Sequence, residues 1–213
     1  IQVDTANTRG WTTQQVSDVL KGTPGTKVNV KFQRTGVAEP IAVTFTRANV
    51  RIPAVPYAIM LDGKIGYVPL QQFNETATEE LDASIKRLTA EGAKGLVVDL
   101  RGNGGGYLDQ SATVANLFLN KGQEVSSVRG RAGFQEVLNA TDNPIAPQIP
   151  LIVLTDGRTA SASEIVAGAL QDHDRAWILG DQTFGKGLVQ TVYPLSDNTG
   201  LALTTAHFYT PSG

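Results

Sequence analysis

Short apolar runs alternate with segments whose apolar residues recur at helical spacing through most of the chain, and glycine or proline punctuates nearly every change. Residues 64–70 and 95–100 and 150–155 read as buried strands, because each is a run too short and too rich in Val, Ile and Leu for a helix. Between them, 75–91 carries Leu81, Ile85 and Leu88 on one helical face and stops at Gly92. Ala112, Ala115, Leu117 and Phe118 mark a helix over 108–119, and Ile165, Val166, Ala169 and Leu170 mark another over 162–171. A strand at 176–179 and a β-rich tail at 188–209 complete the series. This alternation predicts an α/β fold whose sheet contains parallel pairs covered by helices.

The first fifty residues follow a different rhythm. A helix over 12–21 is capped by Thr12 and carries Val16, Val19 and Leu20; Gly22-Thr23-Pro24-Gly25 turns the chain into the alternating strand 28–32. The pattern gives way at 46–56 to Arg51-Ile52-Pro53-Ala54-Val55-Pro56, a proline-punctuated connector, so two domains are expected, 1–48 and 49–213. With 213 residues and 41% hydrophobic content the chain can bury a core, and a net charge of −2 gives no reason to expect nucleic acid or an anionic membrane as partner. The absence of cysteine removes disulfides and Cys-based metal sites.

Two turns carry candidate chemistry. The first, Thr159-Ala160-Ser161-Ala162-Ser163-Glu164, follows the strand 150–155 and a turn at Asp156-Gly157-Arg158, so Ser161 falls at a helix start. Free amides and the helix dipole there stabilise developing negative charge, and Ala162 N–H can donate to an oxyanion. The competing reading makes Thr159, Ser161 or Ser163 an N-cap, with Glu164 completing a capping box from Ser161. The second turn, Arg101-Gly102-Asn103-Gly104-Gly105-Gly106-Tyr107, has the glycine content of an anion-binding loop but lacks GxGxxG spacing. Asp99 and Arg101 beside it suit an ion pair or the orienting of the loop. Farther on, Gly180 to Lys186 matches a nucleotide-binding P-loop except that Gly187 stands where Ser or Thr would hold magnesium, and a strand rather than a helix follows. Lys186 is also a candidate base, since a lysine that sheds its proton can activate a serine without histidine. Only His173 and His207 exist; His173 lies roughly 18 Å along the helix from Ser161 at 1.5 Å per residue, which argues against a Ser-His-Asp triad.

Gly95 to Gly106, Thr159 to Ile165 and Thr183 to Gln190 together, in this order, resemble the C-terminal processing peptidases, or tail-specific proteases. The resemblance implies a ClpP/crotonase-like mixed-sheet core with Ser161 as nucleophile, Lys186, 25 residues later, as general base with a depressed pKa, and Gln190 orienting the lysine. It places the oxyanion hole on Ala162 with Gly105 or Gly106, the latter preferred. It also makes residues 1–48 the last part of a PDZ domain and the core incomplete at its C-terminal end. The implied protein is an exported serine endopeptidase, of the bacterial periplasm, cell envelope or thylakoid lumen. It cuts protein or peptide substrates near a free C-terminus and is gated by its PDZ part. No cofactor, metal, nucleotide or nucleic acid is implied, and a homo-oligomer would form through segments outside this chain. The alternative is a non-catalytic, peptide-binding relative in which serine and lysine never meet.

Overall fold

The structure, a computed structural model, describes residues 2–213, and for residues 132 and 198 the backbone alone. The chain divides into two compact units, Ile1–Ile52 and Pro53–Gly213.

The first unit holds β1 (Gln2–Val3), β2 (Ala6–Asn7), α1 (Thr13–Leu20), β3 (Lys27–Phe32) and β4 (Ile41–Thr46) in an antiparallel sheet of order β2-β1-β3-β4. Thr12 caps α1 as its sequence predicts: Gln15 N–H donates to Thr12 Oγ1 at 3.3 Å and Thr12 N–H donates to Gln15 Oε1 at 2.8 Å. At the other end the Arg47 guanidinium donates to Leu20 O at 2.7 Å and Val19 O at 3.1 Å, satisfying carbonyls that the last turn leaves open. The alternation of β3 turns Val28 and Val30 inward onto Val3, with Leu20 of the helix against them.

The second unit is built on a five-stranded sheet. Its strands are β5 (Ile59–Leu61), β6 (Ile65–Pro69), β7 (Gly95–Asp99), β10 (Leu151–Thr155) and β11 (Trp177–Gly180), in the order β11-β10-β7-β6-β5, parallel except for β5. Helices α2 (Ala77–Ala90), α3 (Leu108–Asn116) and α4 (Ala162–Asp172) are its crossover elements. Leu81, Ile85 and Leu88 of α2 are fully buried, in agreement with their helical spacing. The close packing requires Gly66 on β6, where an added Cβ would stand 2.8 Å from Leu96 Cδ2 and 3.0 Å from Leu88 Cδ1. A second, antiparallel sheet of order β12-β13-β8-β9 contains β8 (Glu124–Gly130), β9 (Gln135–Asn139), β12 (Leu188–Pro194) and β13 (Gly200–Tyr209). Strands β8 and β9 are absent from the sequence reading, and α3 ends three residues before the predicted 119, its last apolar residues entering a buried turn. None of the described helices is long and apolar enough to cross a membrane.

Parallel neighbours place the two candidate loops together. Strands β7 and β10 pair in register from Leu96 with Leu151 to Asp99 with Leu154, so the turns that leave them emerge side by side at one sheet edge. Asp99, the last residue of β7, is buried and receives three partners there. Tyr67 Oη–H donates to its Oδ2 at 2.6 Å, the Arg101 guanidinium donates to Oδ2 at 2.7 Å, and Arg101 N–H donates to Oδ1 at 2.9 Å. Burial pushes the Asp99 carboxyl up, but the bonds from Arg101 and Tyr67 outweigh it and hold the group below its ordinary value. Burial and the same carboxylate push the Tyr67 phenol up to about 12.

A carboxylate with a depressed folded pKa contributes stability above its unfolded pKa, about 3.9, and loses it as pH falls through the folded value. Asp99→Asn should therefore lower the melting temperature more at pH 7 than near pH 3. An equal loss at both pH values, in calorimetric scans, would remove Asp99 from this role.

Candidate active site

Ser161 is the residue just before α4, and its backbone is left-handed, with φ 59° and ψ −118°. For a residue with a Cβ this costs about 1–3 kcal/mol and persists only where surrounding contacts enforce it. Those contacts are explicit. Thr159, fully buried, donates its hydroxyl to Leu100 O at 2.9 Å, just past the end of β7. Ala160 N–H donates to Asn103 O at 3.0 Å, and the Ser163 hydroxyl donates to the same oxygen at 3.0 Å. From the other side Gly102 N–H donates to Asp156 Oδ1 at 2.9 Å, the leading cause of an Asp156 carboxyl held down at about 2.

The three hydroxyls of the Thr-Ala-Ser-Ala-Ser motif are thereby separated by role. Thr159 and Ser163 are fully buried and spent on backbone carbonyls, whereas Ser161 is partly exposed and lines a pocket of about 220 Å³ with Glu164, Ile165, Lys186 and Phe208. The capping-box reading also holds in part, because Glu164 Oε2 accepts from Ser161 N–H at 2.7 Å. Glu164 does more than cap: its Oε1 accepts from Gly185 N–H at 2.6 Å and its Oε2 from Lys186 N–H at 2.9 Å. One carboxylate thus fastens the lysine-bearing loop to the Ser161 turn. The Ser-x-x-Glu spacing signals a cap in sequence; nothing in it signals the second pair of bonds.

Gly105 and Gly106 differ in ways the sequence leaves open. Gly105, at φ 96°, lies so close to the serine that a Cβ would stand 2.9 Å from Ser161 Cβ and 3.0 Å from Ala162 N. Its N–H donates to Asn103 Oδ1 at 2.9 Å and its carbonyl accepts from Phe73 N–H at 3.0 Å. Gly106 packs its Cα against the Phe73 carbonyl, where no Cβ fits. Among the described residues, neither the Gly106 N–H nor the Ala162 N–H has an acceptor.

Lys186 lines the serine's pocket, yet its side chain is exposed, and among the described residues no hydrogen bond joins its ammonium to Ser161 or Gln190. Gln190 is exposed on β12, opposite Thr204, immediately after an irregularity of register between Val189 and Gln190. The P-loop-like segment runs from strand β11 into strand β12, so it has no helix N-terminus to receive phosphate. His173 sits beyond the far end of α4, where its Nε2 lies 2.7 Å from Glu124 O and its Nδ1 3.1 Å from Gln123 Nε2. His207 is exposed on β13. Among the described residues no three His, Cys, Asp or Glu side chains are grouped to hold a metal. The larger cavity lies elsewhere: about 1090 Å³, mainly apolar, between α3 and the second sheet, meeting the serine's pocket at Phe208.

Comparison with known proteins gives the family. A carboxy-terminal-processing protease of Bartonella bacilliformis is 44% identical over 217 residues, covering 100% of this chain and 49% of its own length. The carboxy-terminal processing protease CtpA of Bacillus subtilis is 36% identical over 213 residues, covering 100% of this chain and 45% of its own. Among solved structures, a photosystem II D1 C-terminal processing protease superposes with a TM-score of 0.69 at 35% identity, covering 100% of this chain and 58% of that one. The chain thus spans about half the length of the curated relatives it matches. The sequence model of peptidase family S41 matches residues 64–213, and with it the glycine-rich loop, the Ser161 turn and the Lys186 segment: the chain belongs to peptidase family S41.

Proposed function

We propose that this chain carries the catalytic core of a serine endopeptidase that cleaves protein substrates near their C-termini with a Ser/Lys dyad. The observation that carries the reading is the strained Ser161 at the start of α4, tied through one Glu164 carboxylate to the backbone of Lys186. Ser161 Oγ attacks the scissile carbonyl while a neutral Lys186 Nζ takes its proton and passes it to the leaving amine; water then hydrolyses the acyl-enzyme by the reverse relay. The oxyanion falls to the amides of Gly106 and Ala162, which have no acceptor of their own, rather than to Gly105, whose N–H is committed to Asn103. Gln190 orients the amine in the closed state, and the large cavity next to Phe208 receives apolar residues flanking the cleaved bond.

The exposed lysine fits an open state rather than a dead site. Its backbone is already fastened to the serine turn, so closure needs only the side chain to turn inward within the pocket both residues line. We read Ile1–Ile52 as part of a PDZ domain that favours the closed state when it holds a substrate's C-terminus. We assign the protein to an exported location, as its kinship with the C-terminal processing proteases suggests.

In the full-length protein, Ser161→Ala should abolish hydrolysis of a peptide substrate and labelling by a fluorophosphonate, while Ser163→Ala keeps both, at several-fold lower rate. Equal loss in the two variants would count against Ser161 as nucleophile. Lys186→Arg should be as inactive as Lys186→Ala, because a guanidinium stays protonated; near-normal turnover of the arginine variant would make Lys186 structural. Glu164→Gln puts an amide where three N–H donors converge. Turnover should fall about tenfold or more, with faster hydrogen exchange at Gly185 and Lys186, and unchanged exchange at both would show that the clasp is not needed.

A further inference from the structure

Asn103 is the least accessible polar residue of the glycine-rich turn, with no exposed surface, and every polar group it owns is occupied. Its Nδ2 donates to Leu70 O at 2.7 Å, beyond the end of β6, and its Oδ1 accepts from Gly105 N–H at 2.9 Å. Its own N–H donates to Leu100 O at 3.1 Å, while its carbonyl takes both Ala160 N–H and Ser163 Oγ–H at 3.0 Å. The two residues held by that carbonyl stand one before and two after Ser161.

We propose that Asn103 is a positioning residue of the acyl-transfer site. It fixes the gap between glycine-rich loop and nucleophile turn, and by capturing Gly105 N–H it leaves the Gly106 amide to meet the oxyanion. The inference rests on the Ser/Lys peptidase reading above. A Cβ at Gly105 would meet Ser161 Cβ and Ala162 N at the limit of contact, and between the two halves of the oxyanion hole Asn103 holds Gly105 with its side chain and the serine turn with its carbonyl. The chemistry asks for one donor and one acceptor on a one-carbon stem in a dry site. Aspartate lacks the donor and faces Leu70 O with a charge; glutamine is a methylene too long for a site with no free surface; alanine leaves Gly105 N–H and Leu70 O unpaired.

Asn103→Ala, Asn103→Asp and, as a control, the core variant Leu88→Ala would be made in the full-length protein and assayed where each is folded. Melting temperature, kcat and KM on a peptide, and affinity for a peptide boronate, whose tetrahedral adduct puts an oxygen in the oxyanion position, would be compared. The Asn103 variants should lose kcat about 10–100-fold with KM nearly unchanged, and boronate affinity should fall with kcat/KM. Leu88→Ala should lose melting temperature but keep kcat. Folded Asn103 variants with kcat within about twofold of wild type, or no lower than Leu88→Ala, would overturn the proposal. Should neither Asn103 variant fold, Ser163→Ala decides: it removes one of two bonds to the Asn103 carbonyl, so kcat and boronate affinity should fall together by a few-fold, and no change in either overturns the assignment. Wild-type protein that a fluorophosphonate does not label at Ser161 sinks the peptidase reading and this proposal with it; labelled wild type with unaffected Asn103 variants sinks this proposal alone.

Discussion

The site depends on hydrogen bonds that sew together the two loops leaving β7 and β10. Parallel pairing alone brings their ends to one end of the sheet, but it does not set the spacing between the turns that follow. Thr159 to Leu100, Ala160 and Ser163 to Asn103, and Gly102 to Asp156 set that spacing, and most of the atoms involved are shielded from water. In such surroundings an unmade bond costs the desolvation of the group left behind, so each buried bond of the seam resists loss more than its surface counterpart would. The left-handed Ser161 and the side-chain-free approach of Gly105 both follow from it.

Glu164 extends the same logic to a third segment. The loop 181–187 has no regular structure of its own, and its glycines give it freedom, yet its backbone near Lys186 is fixed by a carboxylate that belongs to α4. Backbone rigidity and side-chain freedom are thereby divided between adjacent atoms of one residue. Any closure of the kind proposed above then becomes a matter of which way four methylenes point, since the backbone beneath them is already held.

Much of this architecture was legible in the chain because local signals and tertiary demands coincide. Leu81, Ile85 and Leu88 repeat at helical spacing and are buried as a face, and the run before Asp156 is a central strand with Leu151, Val153 and Thr155 buried and Ile152 and Leu154 half-buried. Legibility fails at β8, where Ser126 and Ser127 interrupt the apolar pattern yet are buried, their hydroxyls without a partner among the described residues. Pairing with β13 and β9 overrides the weak local preference there. The position of Ser161 at a helix start could be read from its motif, but the bonds of Asn103, the difference between Gly105 and Gly106, and the three-way grip of Glu164 could not. Asn103 and Glu164 bond groups some 60 and 21 positions away in the chain, and the bond that sets Gly105 apart from Gly106 spans only two positions but depends on how the loop turns.

The conformation of Ser161 sets the demands of fold and chemistry against each other at one position. Glycine would occupy φ 59° without the steric penalty that a Cβ brings, so folding alone would favour a residue that cannot react. On the proposed mechanism, serine stands there against a thermodynamic gradient, and only selection for catalysis would oppose the slide. A lineage that stopped needing the reaction would lose its nucleophile early and gain stability as it did so, while the buried Thr159 and Ser163, whose bonds serve the fold, would outlast it as the fossil of the motif.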